Sequence, residues 1–335
     1  MDGGGNPITD AQISLNHPLI SYNGITNGIG EENFSLFYQE SYELIVGKWG
    51  YYTECINPVI NISTGVINIT LINGYYDDFS FDFGWTVTGN AETGEWERGI
   101  PNPTTNTVMG SDVFGDCGSM AYVTGNKINV DPDYDDVDNG ITILTSPQMD
   151  LTQYANPAFR FSYAFFCNHG PELIDDTLSF IIGNGSEFEI FHQVLPPQGD
   201  PMVFEEHFVI IAQQTSITIT NSMTFKVFVS DLEPHVNITE AAFDFFRVED
   251  VWGVEETNAN TFSIYPNPVT ECAIVNGARV GSNYKVISAN GIVLMNGVID
   301  GDNHTIDMND MSKGFYFVLI DGAQKKKLLC ALTHG

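Results

Sequence analysis

Positive charge is scarce in this chain: 12 Lys and Arg stand against 43 Asp and Glu in 335 residues, a formal net charge of −31. That imbalance repels nucleic acid and anionic lipid, which excludes both as partners. Long apolar runs are missing too, and nothing approaches the roughly 20 residues that a membrane-spanning helix needs. Extended Ala/Leu/Glu/Lys-rich stretches, the usual mark of long helices, are also absent. Cysteine is sparse, with Cys55, Cys117, Cys167, Cys272 and Cys330 far apart and no CxxC. Five thiols cannot all pair, so a disulfide framework is not indicated. Cys117 with Cys167 is the one pairing the predicted domain layout favours; otherwise the thiols read as small buried hydrophobes. Met1-Asp2-Gly3-Gly4-Gly5 offers neither a basic n-region nor an apolar h-region. The expectation is therefore a C-terminal fragment, or a processed or truncated form, of something longer.

What is present points to strands. Hydrophobic residues make up 43% and aromatics 12%, enough for packed cores. Gly, Asn, Thr, Tyr, Phe and Val are frequent, a composition suited to many short strands joined by tight turns. The fold class read from this is all-β. Acidity is concentrated between residues 75 and 252, where 28 Asp and Glu meet only 5 Lys and Arg. Oxygen ligands for a hard cation such as calcium are abundant there.

Three segments follow along the chain. In residues 1–74, the stretches 6–15, 33–38, 42–46 and 66–72 alternate with the period of two expected of half-buried strands. Pro7 to Leu15, then Tyr42-Glu43-Leu44-Ile45-Val46-Gly47-Lys48-Trp49-Gly50-Tyr51, resemble the carboxypeptidase regulatory domain, a small transthyretin-like β-sandwich. Residues 75–252 carry an ordered set of motifs. Phe81-Asp82-Phe83-Gly84-Trp85 leads to Gly94-Glu95-Trp96-Glu97-Arg98-Gly99, Leu144-Thr145-Ser146-Pro147 and Phe243-Asp244-Phe245-Phe246-Arg247-Val248. This set resembles the MAM-like jelly-roll module of secreted bacterial zinc carboxypeptidases and other surface proteins. A polar linker, residues 253–260, precedes the last segment, 261–335.

That last segment opens with Tyr265-Pro266-Asn267-Pro268 and continues to the hairpin signal Asn290-Gly291. Ser312-Lys313-Gly314-Phe315-Tyr316 and the basic Lys325-Lys326-Lys327 strand complete it. It resembles the C-terminal sorting domain of the type IX secretion system, a small β-sandwich; only the tail from Cys330 to Gly335 runs past the usual end. The resemblance implies Tyr265, Pro266, Asn267, Pro268, Lys313, Gly314, Tyr316, Lys325, Lys326 and Lys327 as the sorting signal. It also implies the type IX machinery as partner, removal of the tail near the linker, and attachment to surface lipopolysaccharide or release. The expected location is extracellular or on the outer-membrane surface.

Asp131, Asp133, Asp135, Asp136 and Asp138 place five carboxylates in eight positions, which repel unless something neutralises them. The spacing is not that of an EF-hand. Jelly-roll modules of the kind resembled hold a structural calcium where the first and last strands meet an acidic loop. This implies Asp136 and Asp138, with Asp77 or Asp78 and Asp244, as ligands. His169 and Glu172 match the HxxE of carboxypeptidase zinc sites, but in a strand-to-loop context with His192 too near to serve as a distant third ligand. There is no HExxH, no Gly-x-Ser-x-Gly and no histidine in a triad context, so neither catalysis nor zinc is expected. Trp85 and Trp96 read as core, and Tyr134 as an exposed ring available to a glycan or protein ligand. Two functions remain in view. One is the non-catalytic C-terminal region of an exported peptidase of zinc carboxypeptidase type. The other is a self-contained cell-surface glycan-binding or adhesion protein with a calcium-stabilised jelly-roll.

Overall fold

Alternating apolar side chains and Gly/Asn turns fold the chain into 22 strands and one four-residue helix among the described residues, confirming the all-β class. The computed structural model describes residues 1–61, 63–103, 110–128, 134–168, 176–195, 202–232, 237–251, 263–266, 269–278, 280–288, 293–309, 311–312, 314–320 and 327–331. The chain divides into two compact units, Met1–Val251 and Trp252–Gly335.

The first unit begins with β1 (Gln12–His17), β2 (Ile20–Ile25), β3 (Glu43–Gly47) and β4 (Glu54–Ile56), an antiparallel sheet in the order β2-β1-β3-β4. Ile13 and Leu15 of β1 meet Leu44 and Val46 of β3 over Tyr42 and Leu71. The strand expected over 6–15 starts only at Gln12, because Asp10 takes a left-handed conformation (φ 55°) that breaks the extended run. Residues 33–38 and 66–72, also expected as strands, make no ladder. Their alternation still has a cause: Phe34, Leu36, Tyr38 and Ile69 lie half-buried against the same core. A period of two marks a chain with one apolar face, but it does not supply a neighbouring strand.

The sandwich that follows is built from β5 (Tyr76–Asp77), β6 (Thr86–Gly89), β7 (Trp96–Gly99), β8 (Ala121–Thr124), β9 (Gly140–Thr145), β10 (Pro157–Asn168), β11 (Thr177–Gly183) and β12 (Phe188–Val194). It continues through β13 (Glu205–Ile210), α1 (Ile211–Gln214), β14 (Thr224–Asp231) and β15 (Ile238–Asp250). One sheet runs β13-β10-β15-β8-β7 with β5 added to β15; the other runs β12-β11-β14-β9-β6. Phe159, Phe161, Phe243 and Phe246 from the first sheet and Phe180 and Phe225 from the second fill a common core. Each such buried ring contributes about 1.5–3 kcal/mol. In β15 the inward alternation would fail after Phe243. A bulge opposite β10, with Phe245 at φ 54°, restores it by inserting one residue, so that Phe246 and Val248 point inward again.

The small sheet is fastened to the sandwich within the same unit. The Trp49 indole donates to the Gln148 carbonyl at 2.9 Å, and the Tyr52 hydroxyl to the Val248 carbonyl at 2.8 Å. Ile45, Phe81 and Cys117 share a buried contact. Cys55 and Cys117 form a disulfide with Cα atoms 6.1 Å apart. This corrects the pairing expected from sequence, which joined Cys117 to Cys167. Cys167 instead lies buried and free, close to Asp176, with its thiol pushed up to about 12 mainly by burial. The bridge crosses from the small sheet to the sandwich because both belong to one compact unit, where residues distant in sequence meet.

The second unit comprises β16 (Ser263–Tyr265), β17 (Cys272–Asn276), β18 (Asn283–Ser288), β19 (Val293–Val298), β20 (Asn303–Asp307), β21 (Gly314–Ile320) and β22 (Lys327–Ala331). Its sheets run β16-β17-β20 and β19-β18-β21-β22, around Val269, Val275, Val286, Ile306 and Val318. Tyr265 ends β16, and a cis peptide bond joins it to Pro266. The Tyr316 hydroxyl donates to the Ser312 carbonyl at 2.5 Å, and Gly314 and Lys327 open the paired strands β21 and β22. Asn267, Pro268, Lys313, Lys325 and Lys326 lie outside the described residues.

The disulfide closes a loop of 62 residues, which corresponds to about 4 kcal/mol of lost unfolded-state freedom. Cys55→Ser/Cys117→Ser should lower stability by about 2–4 kcal/mol in urea unfolding; a variant as stable as the parent would show that the bridge bears no load.

Candidate metal centre

Two groups of carboxylates form in the sandwich, and they divide the aspartates expected to share one site. In the first group, a carboxylate oxygen from each of Asp112, Asp116 and Asp244 lies within 4.8 Å of the others. Asp244 comes from β15 just before the bulge, held by N–H donors from Phe245 (2.7 Å) and Val113 (3.2 Å). Asp112 and Asp116 come from a Gly/Ser-rich loop. That loop is anchored by the neighbouring Cys117 disulfide and by the Ser80 hydroxyl, which donates to the Cys117 carbonyl at 2.7 Å.

Asp78, immediately after β5, lies near enough to this group for its charge to act on Asp116. Its Oδ1 accepts from the Ser80 N–H at 3.0 Å, while Oδ2 is buried without a hydrogen-bond partner among the described residues. Asp78 is fully buried; the charge of Asp112 acts on it, and the charges of Asp112 and Asp78 act on Asp116. Asp77 takes no part. Its two oxygens accept from the Phe79 N–H (2.9 Å) and the Trp85 indole (2.8 Å), so its carboxylate is spent on fixing the turn. Phe79 and Phe245, the residues that follow these acidic positions, both have left-handed backbones (φ 56° and 54°). For a bulky side chain that conformation costs about 1–3 kcal/mol, and such strain gathers at functional sites.

The second group joins Asp136 and Asp138, on the loop before β9, to Asp231 at the end of β14, again within 4.8 Å. The loop is clamped from both sides by glycines. A Cβ at Gly94 would meet the Asp136 carbonyl oxygen at 2.4 Å, and one at Gly125 the Asp135 carbonyl oxygen at 2.0 Å. Both glycines are left-handed. Asp135 pairs with Lys127 at 2.5 Å and so stands apart from its neighbours. Asp131 and Asp133 lie outside the described residues, as do His169 and Glu172.

Magnitudes decide what these groups need. Two full charges 4.8 Å apart repel by about 3–4 kcal/mol at an effective dielectric constant near 20. Three such pairs cost about 10 kcal/mol, comparable to the whole stability of a domain. Without a cation the carboxyls must therefore hold protons. Burial pushes Asp78 up to about 6. Burial, then the charges of Asp112 and Asp78, push Asp116 to about 8. Burial, helped by Asp138 and Glu240, does the same to Asp136, also to about 8. Asp244 is held well above the usual carboxylate range by burial and by a hydrogen bond shared with Asp112. An all-oxygen, multiply anionic donor set suits a hard dication such as calcium and suits zinc poorly.

Of the aromatic candidates, Tyr134 is 71% exposed, whereas Trp85 and Trp96 are buried in the core. Asp112, Asp116 and Asp231 were missed from sequence. The only hint was two acids four apart in a Gly/Ser-rich loop beside a cysteine.

The proton bookkeeping gives a direct test. These folded-state values lie above the 3.8 of an ordinary aspartate. In chelator their contribution is therefore fully present below about pH 4 and lost as pH rises through about 6 and 8. Asp116→Asn, which stays neutral, should gain in melting temperature relative to the parent between about pH 5 and 8. A constant difference across that window would contradict the assignment.

No curated protein matches the chain. Among solved structures, the K1 cleaved adhesin domain of Lys-gingipain from Porphyromonas gingivalis W83 is similar at 11% identity and a TM-score of 0.32, covering 53% of this chain and 98% of that one. A family 11 carbohydrate-binding module from Clostridium thermocellum, solved with a β-1,3-1,4-mixed-linked tetrasaccharide, is similar at 12% identity and a TM-score of 0.29, covering 51% and 92%. At scores this low neither likeness assigns a function to this chain. No helix among the described residues is long and apolar enough to cross a membrane. Residues 263–330 match the Secretion system C-terminal sorting domain, and this type IX tail marks the chain as a secreted protein that ends at the cell surface or outside the cell.

Proposed function

We propose that the chain is the exported, non-catalytic binding region of a cell-surface protein. Its jelly-roll sandwich holds a structural calcium ion at Asp78, Asp112, Asp116 and Asp244. The observation that carries this reading is the group of Asp112, Asp116 and Asp244, whose oxygens lie within 4.8 Å of one another, with the buried Asp116 Oδ2 and the neighbouring buried Asp78 Oδ2 both lacking a hydrogen-bond partner among the described residues. A buried carboxylate oxygen left without a donor costs about 1–3 kcal/mol or more. A dication would remove that cost and the repulsion together. Calcium here would tie the start of the sandwich (β5), its last long strand (β15) and the disulfide-anchored 110–118 loop into one unit. The sorting tail would deliver this unit through the type IX machinery, be removed near residues 253–260, and leave the remainder on surface lipopolysaccharide or released. The peptidase-accessory role rests on the resemblance of residues 1–74 and 75–252 described above.

Calcium at about a hundred times its dissociation constant stabilises by about 2.7 kcal/mol. For the full chain this corresponds to a rise of about 4 °C in melting temperature over chelated protein. The rise should vanish in Asp78→Asn/Asp116→Asn. An unchanged melting temperature at millimolar calcium would refute the site.

Glycan binding is supported by a separate surface. On the outer side of the five-stranded sheet, Phe228 of β14 stands between Ser179 and Ile143 in register. Phe188 of β12 is 63% exposed, with the Lys226 ammonium 4.4 Å from its ring centre. Gln193 donates to the Ser179 hydroxyl at 3.1 Å alongside. Apolar rings beside hydrogen-bonding side chains are what sugar faces and edges require. On a glycan array the chain should bind a saccharide and lose it on Phe188→Ala/Phe228→Ala; silence across the array, or binding untouched by the substitutions, would retire this reading.

A further inference from the structure

The second acidic group shares no residue with the first, and a separate observation sets it apart from an ordinary solvated loop. Asp136 is only 1% exposed. Its Oδ2 accepts from the Thr239 N–H of β15 at 3.0 Å, but its Oδ1 is buried with no hydrogen-bond partner among the described residues. The surroundings are rigid. The Val137 N–H donates to the Thr239 carbonyl at 2.9 Å. The Thr93 hydroxyl reaches both the Asp136 carbonyl (2.9 Å) and Asp138 Oδ2 (3.1 Å). The Asn237 N–H donates to Asp231 Oδ2 at 3.4 Å, and Asp231 itself is pinned opposite Gly140 in the ladder between β14 and β9. Lys127, the nearest lysine in sequence, is engaged by Asp135.

The donor atoms therefore stand in place before any ion arrives, which lowers the entropic cost of binding one. Their chemistry is all oxygen and strongly anionic, which selects a hard dication. Oxygens on a calcium shell of radius about 2.3–2.6 Å lie at most about 5 Å apart, and the three carboxylate oxygens fall within 4.8 Å of one another.

We infer that Asp136, Asp138 and Asp231 form a second calcium site, independent of the first, that fastens the 134–139 loop to the ends of β14 and β15. The loop opens with the exposed Tyr134. The site thus gives a ligand-facing segment a fixed shape, whereas the first site holds the sandwich to its opening strand. The two sites share no residue, so either can fail without the other.

The experiment is calcium alone, titrated into the chelated full chain by calorimetry and followed by hydrogen exchange. Wild type should bind about two equivalents per chain, and calcium should slow exchange of the 135–139 amides. Asp112→Asn/Asp116→Asn should lose one equivalent while calcium still protects 135–139. Asp136→Asn/Asp231→Asn should lose the other equivalent together with that protection. If the latter variant fails to fold, Asp138→Asn, whose side chain is only partly buried, should weaken one of the two equivalents about tenfold or more. A single equivalent in wild type that the first pair of substitutions abolishes, or two equivalents both insensitive to Asp138→Asn, would overturn the second site. Protection of 135–139 lost in Asp112→Asn/Asp116→Asn would equally overturn its independence.

Discussion

Like charges held out of water govern this sandwich. Asp112, Asp116 and Asp244 converge beside the bulge of β15, next to Asp78 at the end of the two-residue strand Tyr76–Asp77, and Asp78 and Asp244 are fully buried. N–H groups of Ser80, Val113 and Phe245 serve Asp78 Oδ1 and Asp244, but among the described residues Asp78 Oδ2 and Asp116 Oδ2 have no hydrogen-bond partner. Either protons or a cation must occupy that corner, and the folded state therefore depends on what the medium supplies. Two left-handed phenylalanines, Phe79 and Phe245, lie beside it. Their cost is sustained by the core their rings and neighbours join: Phe79 packs edge-on against Tyr122 and Trp85, and Phe246 enters the sandwich because the bulge lets it.

The disulfide and the charged corner belong to one device. Cys117 follows Asp116 directly, and its partner Cys55 lies on β4 of the small sheet. The loop that carries Asp112 and Asp116 is thus fixed covalently from outside the sandwich. Trp49 and Tyr52 add hydrogen bonds to the Gln148 and Val248 carbonyls. The small sheet is in this sense part of the site's support rather than a free-standing module. A covalent bridge of this kind persists in oxidising surroundings, in agreement with a chain whose tail matches a secretion sorting domain.

Much of the fold was legible because it rests on local pattern. Residues 42–46, 284–288 and 314–318 read as strand segments, and β3, β18 and β21 form ladders there. The sorting tail was readable from Tyr265-Pro266-Asn267-Pro268 and the Lys313-Gly314 step onward. Legibility failed where sequence neighbours and spatial neighbours part company. Residues 33–38 have an apolar face but no partner strand; Cys117 finds Cys55 across a segment boundary. The acidic run 131–138 is dense on paper, yet in the fold Asp135 is paired with Lys127, and Asp136 and Asp138 meet Asp231. Asp77 and Asp78 are indistinguishable on paper. The indole of Trp85 consumes one and leaves the other, a difference that only the turn at Phe79 creates.

The most direct measurement is a crystal structure grown in calcium, with anomalous differences collected at long wavelength. The account predicts an anomalous peak bonded to Asp78 Oδ2 and to oxygens of Asp112, Asp116 and Asp244. Finding no peak there, with the four carboxyls joined instead by hydrogen bonds through protons or water, would contradict it.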